Sequence, residues 1–308
     1  MRNPANPKVT VLMAVYNGST FLPQAINSIL EQTFTDYEFL IINDASTDDS
    51  GRIIASYPDP RIKVIINRTN LGLTKSLNIG LKHAKGSFIA RMDADDLSHP
   101  QRLAKQVALI ENESVCGLVT CGMEVIDAKG TVTSVKKPGY IPEKIYSELQ
   151  FRNCIPHSSV LFKKNLVLNL GGYNRKFRYA QDYALWMKLS PIAKVNSINE
   201  YLIKWRNTKT NISNLKKREQ QETVKKIVTA NIRELTGRTY PYEYIRFLGG
   251  YTYHLKDIPK REYPRLIRMM QEIIKGMLRK APRFLDRSML KLALNERMHL
   301  IGRKLAIK

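Results

Sequence analysis

The stretch Ser87-Phe88-Ile89-Ala90-Arg91-Met92-Asp93-Ala94-Asp95-Asp96-Leu97-Ser98-His99 decides how the rest of the chain is read. Phe88, Ile89 and Met92 have the character of the end of a buried strand, and three carboxylates follow where that strand runs out into a loop. Carboxylates packed so closely repel one another unless positive charge sits among them. Residues 93 and 95 are two apart, so at a strand end their side chains project the same way and can share one hard cation through oxygen ligands. A bound divalent ion is the simplest neutraliser. For an isolated Asp-x-Asp the alternative is a solvated acidic loop.

The stretches upstream argue against that alternative. Lys8 to Tyr16 is a near-continuous apolar run of β-branched character, which suits a strand buried on both faces of a parallel sheet. Asn17-Gly18-Ser19 breaks it, and Leu22, Ala25, Ile26, Ile29 and Leu30 then recur at helical spacing with Pro23 in the first turn. Phe39 to Ile42 predicts a second strand. It ends in the polar run Asn43-Asp44-Ala45-Ser46-Thr47-Asp48, rich in helix-capping residues, before a short helix through Ile53 and Ile54. Lys63 to Asn67 predicts a third strand, Asn70-Leu71-Gly72 a turn, and Leu73 to Ala84 a helix closed by Lys85-Gly86. Strands alternating with helices predict a doubly wound α/β sheet, which binds ligands at the carboxyl ends of its strands. Asn17, Asp44 and Asp93 all fall at such ends.

Downstream, a helix through Leu103, Val107 and Ile110 leads to a strand around Leu118 to Met123 and a turn at Asp127-Ala128-Lys129-Gly130, where the alternation stops. Residues 143–152 read as helical, and Asn153-Cys154-Ile155-Pro156-His157 precedes a strand over Ser158 to Phe162. Gly171-Gly172-Tyr173 is a tight loop whose glycines let backbone approach a ligand. Gln181-Asp182 opens an amphipathic helix, with Asp182 in its first turn.

The 308 residues suffice for one large domain or two, and the change of character near residue 210 predicts a catalytic domain over 1–210 and a basic helical region over 211–308. An apolar content of 43% excludes wholesale disorder. The net charge of +23 is concentrated late: from Arg206 onward, 25 Lys and Arg face 9 Asp and Glu. That tail implies a polyanionic partner, whether a phospholipid surface, nucleic acid or an anionic saccharide. In one of its helices Leu266, Met270, Ile273 and Met277 line one face and Arg265, Arg268, Lys275 and Arg279 the other, a pattern suited to lying on an anionic membrane. Packing of the apolar face on the catalytic domain fits the same pattern. Cys116, Cys121 and Cys154 lack a CxxC spacing and read as small core residues in a reducing compartment. Met1 to Pro7 holds no apolar signal region, and no run approaches the roughly 18 apolar residues of a membrane span, so a cytoplasmic or peripheral protein is expected.

Taken in order, Tyr16-Asn17, Asn43 to Asp48, Asn70-Leu71-Gly72, Ala90 to Asp96, Gly171-Gly172-Tyr173 and Gln181-Asp182 resemble the family-2 glycosyltransferases. These are inverting enzymes with the A-type, Rossmann-like mixed-sheet fold, and the likeness is greatest to bacterial members that build lipopolysaccharide or capsule. The resemblance covers about residues 8–210. It implies that Asp44 holds the nucleotide base, that Asp93 lies near the ribose, that Asp95 holds Mn²⁺ or Mg²⁺ against the diphosphate, and that Asp182 is the catalytic base. It further places Tyr16, Asn17, Asn70 and Lys75 on the nucleotide-sugar and, on the acceptor side, His157, Gly172 and Tyr173. For Asn17 a turn-forming role, and for His157 a structural one, stand as alternatives, and Arg91 is equally suited to pairing with a nearby acid. The implied donor is a nucleotide-sugar, UDP-linked by family habit, and the implied acceptor a saccharide or lipid-linked saccharide at the cytoplasmic face of the inner membrane.

Two positions depart from the family pattern. Leu77 stands where many relatives carry Arg, and Thr208 where a Tyr-Arg-x-His segment would supply a metal-proximal His, which leaves Arg206 and Lys209 as candidates to neutralise phosphate. The processive QxxRW motif is absent, so one sugar per encounter is expected. A nucleic-acid-binding protein is the alternative suggested by the basic tail, but no aromatic stacking motif is interleaved with the cations. A nucleotidyltransferase is disfavoured because no Gly-rich, Lys/Arg-bearing triphosphate loop follows the first strand.

Overall fold

A computed structural model describes residues 6–137, 139–209, 211–250 and 258–306. The N-terminal residues 1–5, part of the stretch read above for a signal region, lie outside the described residues. The first half is built as strand–helix pairs: β1 (Val9–Val15), α1 (Leu22–Leu30), β2 (Tyr37–Asn43), α2 (Ser50–Ala55), β3 (Ile62–Ile66), α3 (Leu73–His83) and β4 (Phe88–Met92). Then come β5 (Leu97–Ser98), α4 (Arg102–Asn112), β6 (Cys116–Ile126), β7 (Val132–Lys136), α5 (Pro142–Leu149), β8 (Leu161–Lys163), α6 (Lys164–Asn169), α7 (Gln181–Leu189) and β9 (Lys194–Arg206). Among the described residues that follow are the helices α8 (Ile212–Leu215), α9 (Lys217–Thr236), α10 (Tyr242–Leu248), α11 (Tyr263–Lys280) and α12 (Arg287–Ala306).

The sheet order is β3-β2-β1-β4-β8-β6-β9-β5, with β7 paired to β6. Strands β1 to β4 are parallel, and β8 runs antiparallel between β4 and β6. Strands β1 to β4 are the α/β sheet that the alternation predicts, and the antiparallel β8 makes it the mixed sheet that the resemblance implies. The register matters for function: Val15 lies opposite Asn43, Asn43 opposite Ile66, and Met13 opposite Met92. The loops after β1, β2, β3 and β4 therefore leave from one edge, and Tyr16, Asp44, Asn70 and Asp93 gather there.

Side chains alternate across the strands as the two-residue period requires. Val9, Val11, Met13 and Val15 of β1 pack with Ile26 and Ile29 of α1 and Leu103 and Val107 of α4. Leu12 faces the opposite way, into a core shared with Leu77 and Leu81 of α3. Leu77 is thus a core residue.

That second core continues without a break into the last third of the chain. Ile145 and Leu149 of α5 belong to it together with Val228 and Ile232 of α9, Ile245 of α10 and Leu290 and Leu294 of α12. The apolar face of α11 is consumed in the same way: Leu266, Met270, Ile273 and Met277 are fully buried. Gly276 brings this helix against the Leu235 backbone of α9, where a β-carbon would collide. The membrane expectation attached to this face is corrected accordingly, because the apolar stripe finds its partner inside the protein. Among the described residues no helix is long and apolar enough to cross a membrane.

Candidate active site

The level strand ends open onto a cleft of about 1070 Å³. Tyr16, Asn17, Asp44, Asn70, Asp93 and Asp95 line it from the β1–β4 edge. His157 and Asp182 line it from the segments before β8 and at the start of α7. Lys75, Gly172 and Tyr173 do not line it: Lys75 is exposed on α3, and Gly172 and Tyr173 are buried behind the wall.

Asp44 is almost wholly buried and organises two loops. Its Oδ1 accepts hydrogen bonds from Asn67 Nδ2 (2.6 Å) and the Leu71 N–H (2.9 Å), and its Oδ2 accepts from the Gly72 N–H (2.8 Å). A carboxylate has about four acceptor positions, so Oδ2 retains one for a donor in the cleft. Asn17 works as a loop clamp. It sits at φ 50°, its Oδ1 accepts from the Thr47 N–H (2.8 Å), and its own N–H donates to Ser46 Oγ (3.1 Å). This ties the β1 and β2 loops together and leaves the Tyr16 ring half exposed at the rim.

The three aspartates after β4 divide by environment. Asp96 is fully buried and points away from the cleft; its Oδ1 accepts the Arg206 N–H (3.0 Å) and its Oδ2 contacts Ser158 Oγ. Burial and the neighbouring Asp93 and Asp95 push its carboxyl well above the usual range, which favours the protonated form. Proton on Asp96 lets it donate to Ser158 Oγ, whose own proton goes to Asp93 Oδ2 (2.7 Å). Arg91, buried beneath, pairs with Asp93 and donates to Ser158 Oγ (3.1 Å). Asp95 is left facing the cleft, its carboxyl pushed up to about 6 by burial and by Asp93 despite Arg91 and Arg206. Ligand oxygens from the three lie within 4.8 Å of one another. A hard divalent cation suits the cleft-lining carboxylates of Asp93 and Asp95, and it would relieve the repulsion that raises Asp95.

Arg206 does not serve phosphate. Its guanidinium is buried, donating to the Asp95 carbonyl (3.0 Å) and to Gln24 Oε1 (2.7 Å) and stacking on Phe21 at 4.3 Å. It fixes the acidic loop from behind. Lys209 is exposed and does not line the cleft. Thr208 does line it, but the group beside Asp95 is Asn211, whose Nδ2 reaches Asp95 Oδ2 (3.3 Å) and the Arg206 carbonyl (2.8 Å). Asn211, Ile212, Leu215 and Lys216 all line the cleft, so the basic region contributes directly to the site.

Asp182 stands in the first turn of α7, behind Ala180 in the left-handed region at φ 54°. Burial raises its carboxyl, while the Tyr183 N–H and Asn153 Nδ2 (2.8 Å from Oδ2) pull it back. Lys136 feels the same carboxylate: burial lowers its amine, and Asp182 followed by Asp96 draws it up again. Nothing in the residue pattern singled out Asn153 or Asn211, because both act through partners far away in sequence.

His157 Nε2 hydrogen-bonds the Tyr173 hydroxyl (2.8 Å), and its ring meets Tyr173 and Trp186 edge-on. Burial, aided by Arg91, holds it well below the usual histidine range, so it is neutral. Asn78 clamps the glycine turn, donating to the Tyr173 carbonyl (2.8 Å) and accepting its N–H (2.9 Å). The turn thus shapes the wall that carries His157.

The profile of glycosyl transferase family 2 matches residues 10–167, just over half of the chain. The O-antigen biosynthesis glycosyltransferase WbnJ of Escherichia coli is 32% identical over 205 residues, 64% of this chain and 79% of that protein. Among solved structures, residues 1–349 of S. aureus TarS in complex with UDP superpose with a TM-score of 0.59 at 18% identity, covering 97% of this chain and 90% of that one. The mannosyltransferase PcManGT of Pyrobaculum calidifontis, in complex with GDP-Man and Mn²⁺, gives 0.59 at 18% identity, covering 99% and 86%. At those identities the two structures speak for the fold, which is that of the A-type glycosyltransferases.

Proposed function

We propose, from the premise that the chain belongs to glycosyl transferase family 2 and is a glycosyltransferase, a metal-dependent inverting transfer in polysaccharide synthesis. The sugar moves from a nucleotide-diphospho-sugar to a hydroxyl of a saccharide or lipid-linked saccharide. One observation carries this: Asp93 and Asp95 at the end of β4 and Asp182 at the start of α7 line one cleft. The O-antigen role of the E. coli relative supports the polysaccharide setting. UDP in the TarS complex supports a UDP-sugar donor, and Mn²⁺ in the mannosyltransferase complex supports the metal.

In this account the free acceptor position of Asp44 takes an N–H of the base, with Tyr16 and Asn70 at its flanks and Asp93 towards the ribose. Asp95, oriented by Asn211 and by Arg206 through its carbonyl, would hold Mn²⁺ or Mg²⁺ with Asp93. When bound, the ion supplies positive charge that stabilises the departing diphosphate. Asp182 accepts the proton of the acceptor hydroxyl as its oxygen bonds to the anomeric carbon. The bond from that carbon to the phosphate oxygen breaks, and the nucleoside diphosphate leaves with the electron pair. Residues 1–210 supply this chemistry and residues 211–308 complete the wall.

Replacing Asp182 by Asn tests the base assignment, since the amide keeps the shape and cannot take the proton. Donor binding is expected to persist while transfer falls by about 10²–10⁴-fold. Full transfer by the variant sinks the assignment.

A further inference from the structure

His157 stands on the cleft wall between the acidic loop and Asp182. The next residue, Ser158, donates from Oγ to Asp93 Oδ2 (2.7 Å), and both His157 and Ser158 line the cleft. On its other side the His157 ring meets Trp186 edge-on at 6.1 Å. Trp186 follows Asp182 by one turn of α7, so the two stand one above the other on the same face of that helix. The charges felt here agree with this bracket. Arg91, the partner of Asp93, acts on the His157 ring, and both Asp182 and Asp93 act on the Tyr173 hydroxyl that the ring touches.

Hydrogen-bond accounting fixes which ring nitrogen carries the proton. Tyr173 is 1% exposed, and its hydroxyl meets one group among the described residues, His157 Nε2 at 2.8 Å. The phenol has a single proton, and a buried O–H without an acceptor is costly, so the hydroxyl donates to Nε2. In a neutral imidazole the other nitrogen then holds the N–H. Nδ1 makes no hydrogen bond among the described residues and is not one of the buried polar atoms left without a partner, so it opens onto the cleft. A fixed N–H on a rigid ring, with no protein acceptor, is poised to meet an oxygen of a ligand.

The course of the displacement says which ligand. The anomeric carbon must lie between the diphosphate oxygen it leaves, on the side of Asp93 and Asp95, and the acceptor oxygen at Asp182. The sugar in transit therefore fills the space between those carboxylates, along the stretch of wall that His157 and Ser158 hold. We propose that His157 is a specificity-determining residue for the donor: its Nδ1–H donates to an oxygen of the transferred sugar, and Tyr173 pins the tautomer that allows it. This rests on the glycosyltransferase function proposed above and moves His157 from the acceptor to the donor sugar. A sugar that presents a hydroxyl or N-acyl oxygen at that point is favoured, and one that presents a C–H leaves the N–H unpaired.

Two measurements on the full chain test this. Long-range ¹⁵N–¹H spectra of histidine-labelled protein, with the His157 signals assigned by their loss in His157→Phe, report the tautomer without any ligand. The Nδ1–H form is expected, giving way to a mixture in Tyr173→Phe; the Nε2–H form in the wild type overturns the proposal. The second measurement is calorimetric titration, with Mn²⁺, of UDP-glucose, UDP-galactose, UDP-N-acetylglucosamine and GDP-mannose, each against its parent nucleoside diphosphate. The preference for the tightest sugar nucleotide over its diphosphate is expected to fall about tenfold in His157→Phe. The diphosphate itself is expected to bind as in wild type, which shows that the variant is folded. His157→Asn separates a hydrogen-bonding role from a structural one, since Asn keeps an N–H at about the reach of Nδ1 and loses the ring, whereas Phe keeps the ring against Tyr173 and Trp186 and loses the N–H. Asn is expected to retain more of the sugar preference than Phe. The reverse order, an unchanged preference in Phe, or no preference for any sugar nucleotide in the wild type overturns the proposal. Failure of every nucleoside diphosphate to bind with Mn²⁺ tells against the parent function instead, and the tautomer still decides for or against the geometry.

Discussion

Replacing Arg297 by Met is the sharpest test of how the basic region is attached. Arg297 lies on α12 and is 8% exposed. Its Nη1 donates to the Leu248 carbonyl (2.8 Å), its Nη2 pairs with Glu148 Oε1 on α5, and its guanidinium stacks on Phe151 at 4.7 Å. Met keeps most of the aliphatic volume and removes the charge. Glu148 then stays buried with Arg152 as its remaining cation, and the Leu248 carbonyl loses its donor. Breaking a buried pair from one side costs about 3–5 kcal/mol, and the surviving Arg152 contact argues for about 3 kcal/mol. For a chain of this size that is a fall in Tm of roughly 5–10 °C.

The pH dependence of that loss has a sign. Burial alone would raise Glu148, but Arg297 and Arg152 overcome it and hold the carboxyl below the usual range. A carboxyl lowered on folding adds stability above its unfolded pKa, near about 4.3, and that contribution disappears as pH falls through the folded value. The gap between wild type and variant should therefore be widest near neutrality and close in acid. Urea unfolding followed by circular dichroism at several pH values measures it. A variant within about 0.5 kcal/mol of wild type at pH 7 would refute the docking of α12 on α5.

Three further outcomes follow from the site. Asn153→Ala removes a hydrogen bond to the Asp182 carboxylate, so its already raised pKa rises further; as the unprotonated form is the base, the acid limb of the kcat/KM profile should move to higher pH. An unmoved limb denies Asp182 the role. Gly172→Ala forces a β-carbon into φ 71° and to 2.5 Å from Asn78 Oδ1, disturbing two hydrogen bonds, and should cost about 2–3 kcal/mol in urea unfolding. Gly171→Ala, at φ 84° with open space around it, should cost about 1–2 kcal/mol, and a reversed order would contradict the wall described here.

Much of this architecture is legible in the chain because local and global signals agree. The apolar runs of β1 and β2 are unbroken because both faces are covered, and the loops that end them line the cleft. The acidic run after β4 could be recognised for the same reason. Strand β9 hid because its burial is irregular: polar Asn196 and Arg206 are covered, whereas Glu200 and Tyr201 are exposed. The strand expected over residues 158–162 begins only at Leu161, since His157–Ser159 forms a 3₁₀ turn that aims Ser158 at the aspartates. Neutralisation of the acidic loop was only half visible. Arg91 is adjacent in sequence, but Arg206 comes from more than a hundred residues away, and no spacing rule links them. The helical period of α11 was plain and its partner was not, because amphipathicity states that a face is covered without saying by what.

The central claim is that Asp95 supports nucleotide binding through a divalent ion. Thermal unfolding with saturating UDP, with and without Mn²⁺, in the wild-type chain and in Asp95→Ala, tests it most directly. Binding to the native state raises stability by about 2.7 kcal/mol at hundredfold saturation, and the account predicts that gain with UDP and Mn²⁺ together, lost when either Mn²⁺ or the Asp95 carboxylate is removed. Equal stabilisation in Asp95→Ala, or none from UDP, GDP, CDP or dTDP in the presence of Mn²⁺, would contradict it.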